Sequence, residues 1–184
     1  MSAISIQPRK VDFDVSSVPR HWNGGDPVVT RFFDALSVHF PEGERFFIQS
    51  VRHFQDQVTD QRLREDIRHF IRQEGQHGIV HDRFNDVMEA QGIDVDQITR
   101  NLRRFIRTTQ KYMPEKYQLA MTAALAHYSL GEFELARNYL LQLLRFHPGD
   151  LGASRLLGSV LIALGESREA VRFLRPLAPD HRLR

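Results

Sequence analysis

Apolar residues recur at intervals of three and four positions over most of the chain, as they do along one face of an α-helix. Start and stop signals divide this pattern into segments. Asp26, followed by Pro27, and Asp60 are both typical N-caps. Gly92 and Pro114 mark helix ends. The sequence therefore predicts an all-α protein.

The first part of the chain is expected to form an arm and three helices. Pro19 and the glycine pair that follows it exclude a helix at the start, so residues 1–25 are predicted to be an extended arm. Pro41 lies inside the first helical segment and should kink it, or split it at Phe40. The predicted helices span residues 26–57, 60–90 and 93–112.

Ionisable side chains interrupt the apolar seam of the segment 60–90. Burying an unpaired carboxylate or imidazolium costs roughly several kcal/mol unless a partner compensates it. A metal ion would balance the charge of the carboxylate and would be bound by neutral imidazoles. Glu-x-x-His places two ligands one turn apart, as in the bundle cores of di-iron and di-manganese carboxylate proteins. The seam consists of Ile67, Phe70, Glu74, His77, His81, Phe84 and Met88.

A second glutamate, Glu44, interrupts the aromatic seam of the preceding helix. Glu44 and Glu74 each lie 15 residues from Thr59. A hairpin turning there would place both glutamates about 22 Å from the turn, at a rise of about 1.5 Å per residue. Glu44, Glu74 and His77 are therefore predicted metal ligands, and His81 is either a further ligand or a positioning side chain. The aromatic seam that Glu44 interrupts consists of Phe33, Ser37, Phe40, Glu44, Phe47, Val51 and Phe54.

An alternative interpretation places Glu44 and Glu74 on a solvated helix face and makes His77 an ordinary core histidine. The i, i+3 pairing of His77 with Glu74 favours a metal ligand instead. Gly75 and Gly78 each cost about 1 kcal/mol against alanine inside a helix, which suggests that something approaches the backbone there.

Motifs in the last third of the chain recur at an offset of 34 residues, the period of tetratricopeptide repeats. Only about one and three-quarter repeats fit in residues 119–184, whereas solenoids normally need three or more to bury a continuous core. These helices should therefore pack on the N-terminal helices or on another chain. The recurring positions are Leu130-Gly131-Glu132 and Leu164-Gly165-Glu166, Ala136 and Ala170, and Leu140 and Leu174.

Composition narrows the range of functions. A net charge of +2 is too small for a nucleic-acid binder, and the arginines between residues 100 and 107 are interpreted as a solvated helix face. The sequence has no cysteine, so a metal would be held by nitrogen and oxygen. No apolar run approaches the length of about 18 residues that spans a bilayer, so we expect no membrane association and a soluble, cytoplasmic protein.

The chain resembles the bacterial family of predicted metal-dependent hydrolases over about residues 5–125. That family is similar to ferritin-like di-iron proteins in its helical pattern. The resemblance implies a ferritin-like hairpin or partial bundle with a metal bound by Glu44, Glu74 and His77, and with His81 adjacent. The matching positions include Phe33-Asp34-Ala35-Leu36-Ser37, Phe40-Pro41-Glu42-Gly43-Glu44-Arg45-Phe46-Phe47, Val51-Arg52, Gln73-Glu74-Gly75-Gln76-His77, His81 and Asn85.

The chain departs from the family pattern at Ala126, where members carry a glutamate before the histidine that corresponds to His127. Repeats also replace a later helix rich in Glu and His, so half of the expected ligand set is missing. Two chains pairing their helical hairpins about a two-fold axis would restore the set, a plan that encapsulated ferritins resemble. Otherwise the site is vestigial.

We therefore expect an arm over residues 1–25, ferritin-like metal-binding helices over 26–115 and tetratricopeptide-like repeats over 116–184. The leading hypothesis is a metal-dependent hydrolase or di-iron oxidase of unknown substrate, with His81 carrying protons and with iron, manganese or zinc as the metal, iron first. The alternative is a non-catalytic interaction module whose repeats hold a partner peptide. The groove residues would be Tyr128, Phe133, Arg137 and Tyr139.

Overall fold

The computed structural model describes residues 8–10 and 12–174. Across these residues the regular elements are all helices, without a strand, so the predicted all-α class is confirmed. Residues 1–7 and Val11 of the predicted arm, and residues 175–184 of the predicted repeats, lie outside the described residues. The α-helices are α1 (Pro27–Ser37), α2 (Phe40–Arg52), α3 (Gln61–Ala90), α4 (Val95–Tyr112), α5 (Glu115–Ser129), α6 (Phe133–Phe146), α7 (Leu151–Ala163) and α8 (Ser167–Leu174).

The chain divides into two compact units between Met113 and Pro114. Proline disfavours a helical conformation of the residue before it, and Met113 accordingly adopts φ −96° and ψ 140°, which ends α4. The first unit contains α1 to α4, and the second contains α5 to α8. In the part of the chain that the structure describes, none of the helices combines the length and the apolar composition needed to cross a membrane.

The first predicted helix is split in two near Pro41. Proline lacks a backbone N–H and fits the first turn of a helix, so α2 begins at Phe40 and α1 ends at Ser37. α2 then ends at Arg52, earlier than the predicted end at residue 57. A 3-10 turn over Gln55–Gln57 follows it and leads towards α3.

α3 is a 30-residue helix against which α2 packs to form a hairpin. The predicted start is confirmed, because the Asp60 carboxylate accepts a hydrogen bond from the Leu63 N–H. The predicted stop is also confirmed, because Gly92 adopts a φ of +87° just beyond the helix. Val38, Met88 and Val95 form a small buried core where α1, α3 and α4 meet.

In the second unit, the two helix pairs α5–α6 and α7–α8 are joined by turns of the same kind. Gly131 and Gly165 adopt φ of +76° and +79°. The N–H of the next residue, Glu132 or Glu166, donates over 2.8 Å to the carbonyl five residues before it. The 34-residue sequence repeat is thus also a structural repeat. Buried residues of this unit include Ala136, Leu140, Leu157, Leu161 and Ala170.

The described part of the arm runs alongside α3 in the same direction. The Arg9 N–H donates to the Gln73 side chain over 2.8 Å, and further along the side chain of Gln91 donates to the Val18 carbonyl over 2.9 Å. Trp22 then anchors the end of the arm, since its indole N–H donates to Asp34 of α1 over 2.9 Å. The arm therefore fixes the position of α1 relative to α3.

Candidate metal centre

The α2–α3 hairpin brings together three of the four predicted ligands, Glu44, His77 and His81. One potential ligand atom of each lies within 4.8 Å of the other two. The two histidines are four residues apart on α3, so both project from one face of that helix. Glu44 reaches them from α2. These three side chains form the candidate metal centre.

A polar oxygen lies close to the Nδ1 atom of each imidazole ring. Ser37 Oγ lies 2.8 Å from Nδ1 of His81, and Glu44 Oε1 lies 2.7 Å from Nδ1 of His77. The two Nε2 atoms then face each other at 3.1 Å. A partner on the far nitrogen, as Ser37 is for His81, is the usual way in which proteins orient a histidine that binds a metal. For His81 the nitrogen left for a cation is therefore Nε2, whereas His77 has Nδ1 beside Glu44 and Nε2 beside His81.

Glu44 is a buried carboxylate without hydrogen-bond donors. Its relative exposure is 4%, and neither oxygen makes a hydrogen bond, because the His77 N–H is close but does not point at Oε1. A Cβ added at Gly78 would lie 2.8 Å from Oε2, so the glycine lets the carboxylate lie against α3. A buried carboxylate in this state needs a cation or a proton. The donor set therefore fits a metal ion.

The pKa values of these groups depart from their ordinary values mainly because of burial. Burial raises the pKa of Glu44 to about 8, and the charges of Glu74 and Asp82 act in the same direction while Arg45 opposes them. Burial lowers the pKa of His81 to about 4, with a contribution from His77, and also lowers the pKa of His77. The imidazoles are thus neutral at pH 7 and have lone pairs available for a metal.

The fourth predicted ligand, Glu74, is not one of the three converging residues. The prediction assumed that both helices continue to a turn at Thr59, which would set Glu44 level with Glu74. Because α2 ends at Arg52, Glu44 instead lies against His77 and Gly78, one turn further along α3. Glu74 is still near enough to raise the pKa of Glu44, and burial raises its own pKa.

Sequence reasoning missed the roles of Ser37 and Phe40 at this centre. Both were placed on the seam with Glu44, but neither was assigned to the site. Ser37 holds His81, while the ring centroid of Phe40 lies 4.8 Å from that of His81 and 6.1 Å from that of His77. A polar serine on an aromatic seam, seven residues before Glu44, was the available signal.

Comparison with known proteins finds one family model. Residues 7–147 match the model of a family described as predicted metal-dependent hydrolases. The chain belongs to this family. No curated protein and no solved structure matches it. The family match ends directly after α6, so it includes the first helix pair of the second unit and leaves α7 and α8 outside.

Without metal, the free energy of unfolding of the protein should fall as the pH rises from 7 to 8.5. An unfolded glutamate is ionised above about pH 4.5, whereas folded Glu44 keeps its proton to about pH 8. The folded state therefore binds more protons in this range, and its stability should fall by about 1 kcal/mol. Urea unfolding in EDTA at the two pH values measures the change. Glu44→Gln should remove it, whereas Glu89→Gln, at an exposed position on α3, should not.

Replacing Ser37 with alanine should lower the metal affinity about tenfold, because losing a partner that orients a ligand costs about 10–100-fold. The change removes the 2.8 Å contact to His81 Nδ1 and leaves all three candidate ligands in place. Titration of the metal-free protein with Zn²⁺ measures the effect. Ser37→Thr, which keeps the hydroxyl, is the control. Equal affinities of Ser37→Ala and the wild type would mean that Ser37 does not orient His81.

Proposed function

We propose that Glu44, His77 and His81 bind a divalent metal and that the protein is a metal-dependent hydrolase. The observation that carries the proposal is the buried Glu44 carboxylate, which lacks hydrogen-bond donors and lies beside two neutral imidazoles whose Nε2 atoms are 3.1 Å apart. Membership of the family of predicted metal-dependent hydrolases supports the same function.

A divalent metal held here would polarise a substrate oxygen and lower the pKa of bound water. The residues of this chain hold and orient the centre. Glu44 supplies the negative charge, and Ser37 fixes the His81 ring with its Nε2 directed at His77. His77 is half exposed, so the centre is open to solvent on its side. The proton-carrying role of His81 stays a prediction, and its lowered pKa favours a role as ligand instead.

We propose iron as the metal. Two histidines and one carboxylate with open positions form a donor set typical of non-haem Fe(II) sites, while zinc hydrolases use a His₂Glu set as well. Glu74 adds a second carboxylate near Glu44, which favours the harder iron or manganese over zinc. The donor set thus supports iron first, with manganese and zinc as alternatives.

Metal analysis of protein purified without a chelator tests the proposal. We expect about one metal ion per chain, because one Glu44–His77–His81 centre is present in the described residues. Purification without air and plasma mass spectrometry would identify the ion. Hydrolysis of a panel of esters and phosphoesters, with and without EDTA, would test the activity. A metal-free sample with full helical circular dichroism, which binds no added metal, would contradict the proposal.

We further propose that the centre is one half of a ferritin-like di-iron site. In the sequence, Glu44 and the Glu74-x-x-His77 pair correspond to half of the ligands that di-iron carboxylate bundles use. In the structure, Glu74 is not one of the three converging residues but is near enough to raise the pKa of Glu44. A second copy of the hairpin would supply the other half. This proposal accounts for the departure from the family pattern at Ala126.

A second candidate function is protein interaction through the helix pairs of the second unit, which we propose are tetratricopeptide-like. The matching turns at a 34-residue offset support this. The predicted groove residues are engaged with each other or with neighbours: Arg137 pairs with Glu166 over 2.7 Å, and Tyr139 stacks on His127. A metal-free, folded protein that retains a peptide partner would favour this function over the first.

A further inference from the structure

Positive charge is concentrated on one side of α4, which we call the basic face of α4. At 3.6 residues per turn, its five cationic side chains fall within an arc of about 100° around the helix axis. No aspartate or glutamate occurs between residues 97 and 114, whereas α3 mixes both signs of charge along its length. The basic face of α4 consists of Arg100, Arg103, Arg104, Arg107 and Lys111.

Most of the basic face has no carboxylate partner. Arg103 pairs with Glu42 of α2 over 2.9 Å and with Asp96 over 2.8 Å, which fixes the rotation of α4 about its axis. The other four cations are exposed, and the ion pairs between described residues of the first unit include none of them. They therefore point their charges to solvent.

The uniform sign of the basic face costs helix stability. Five pairs of its cations stand at i, i+3 or i, i+4, where like charges repel and opposite charges would attract. A face that is only solvated can mix both signs and gains stability by doing so. An anion bound along the face would remove the repulsion. The uniform sign thus favours an anion-binding role for this face.

The neighbouring side chains favour single-stranded nucleic acid as the anion. The basic face lines an open depression along α4 together with Thr108 and Tyr112. Four of the five cations are arginines, whose planar guanidinium groups bind phosphate through two parallel hydrogen bonds. The Tyr112 ring is 67% exposed, and the Lys111 Nζ lies 5.0 Å from its centroid. An exposed ring beside cations is the arrangement on which bases of a single strand stack.

The same depression is poorly suited to a lipid surface. Helices that bind anionic membranes insert apolar side chains beside their basic ones. Among the described residues, the lining of this depression includes no aliphatic side chain. A phosphodiester strand, which needs cations and a stacking ring, fits the lining better.

We propose that the basic face of α4 binds the phosphates of a single-stranded nucleic acid and that Tyr112 stacks on one of its bases. The net charge of +2 is an average over the whole chain, in which acidic residues elsewhere cancel the local charge of α4. The inference goes beyond the proposed metal-binding function and does not rest on it, because Glu44, His77 and His81 lie on α2 and α3.

Fluorescence anisotropy of a labelled oligothymidylate of about 20 nucleotides, titrated with the full chain, tests this inference. With about four phosphate contacts, the affinity of the wild type should fall about 50-fold between 50 and 200 mM NaCl. Arg104→Gln/Arg107→Gln should bind at least about tenfold more weakly at 50 mM NaCl, and its affinity should fall only about sevenfold over the same range. Its helical circular dichroism should be unchanged, because the variant removes four of the five like-charge pairs.

Two further variants separate the basic face and the ring from general charge. Arg68→Gln/Arg72→Gln removes the same charge from exposed positions on α3 and should bind as the wild type does. Tyr112→Ala should bind the oligothymidylate at least about fivefold more weakly with the same salt dependence, because stacking of a base releases no counterions.

Each contrary result would overturn the inference in a different way. A wild type that does not bind the oligothymidylate at 50 mM NaCl would overturn it outright. An equal loss in Arg68→Gln/Arg72→Gln would show that net charge, and not the basic face of α4, is responsible. Polyglutamate bound as tightly as the oligothymidylate, or binding confined to phosphatidylserine vesicles, would show an acidic polypeptide or a lipid surface as the partner instead. All these variants keep the three candidate metal ligands, so failure here leaves the proposed function standing.

Discussion

Replacing His77 with alanine should lower the affinity for a divalent metal at least about 100-fold. Loss of a residue that only orients a ligand already costs about 10–100-fold, so loss of a ligand should cost more. His77 also joins the other two groups, because its Nε2 lies 3.1 Å from that of His81 and its Nδ1 lies 2.7 Å from Glu44. Calorimetric titration of chelator-stripped protein with Zn²⁺ and, without air, with Fe²⁺ measures the change.

His21→Ala is the matched control for this experiment, since His21 is exposed and is not one of the three clustered residues. It should bind metal as the wild type does. Glu44→Ala should lose affinity as His77→Ala does, because it removes the one carboxylate of the cluster. If His77→Ala kept the wild-type affinity, or if His21→Ala lost as much, the metal would be bound elsewhere and the candidate centre would be wrong.

Much of the fold follows from local signals in the sequence. Asp60 and Gly92 bound α3 because a capping side chain and a residue at positive φ act within a few positions of the helix end. Leu130-Gly131-Glu132 and Leu164-Gly165-Glu166, which recur at an offset of 34 residues, likewise adopt the same local turn. These features depend little on the rest of the structure, so a single sequence is enough to predict them.

The register of α2 against α3 depends on non-local packing and was predicted less well. Periodicity placed Glu44 and His77 on facing seams, which the structure confirms with a distance of 2.7 Å. Periodicity could not show that α2 ends at Arg52. Glu44 lies one turn further along α3 than predicted, and Glu74 is therefore not among the three converging residues. The length of a connection determines which residues of two helices lie at the same level, and that length is the least certain part of a prediction.

The buried face of α1 was also beyond the reach of periodicity. Phe33 and Phe40 were placed on a core seam, and the structure leaves both exposed. Asp34 is buried instead, because the Trp22 indole and the Arg31 guanidinium pair with its carboxylate. Patterning assumes that the apolar side of a helix faces its own core, and this assumption fails where polar side chains find partners inside and the apolar side is available to another surface.

Gly78→Ala should lower the metal affinity at least about tenfold, while Gly75→Ala should leave it unchanged. A Cβ at position 78 would lie 2.8 Å from Glu44 Oε2, closer than real Cβ contacts, so the buried carboxylate would have to move away from α3. At position 75 nothing lies within 4 Å of an added Cβ. Both changes add the same methyl group to the same helix, and the same titrations with Zn²⁺ and Fe²⁺ compare their effects.

Stability and metal affinity should respond differently to these two changes. Gly75→Ala should stabilise the protein by up to about 1 kcal/mol, because alanine is the better helix former. Gly78→Ala gains the same helix propensity but displaces Glu44, so urea unfolding should show a smaller gain or a loss. If both variants bound metal as the wild type does, Glu44 could not be a ligand in the position where it lies against Gly78. A loss confined to Gly78→Ala would instead support a metal held between α2 and the face of α3 that carries His77 and His81.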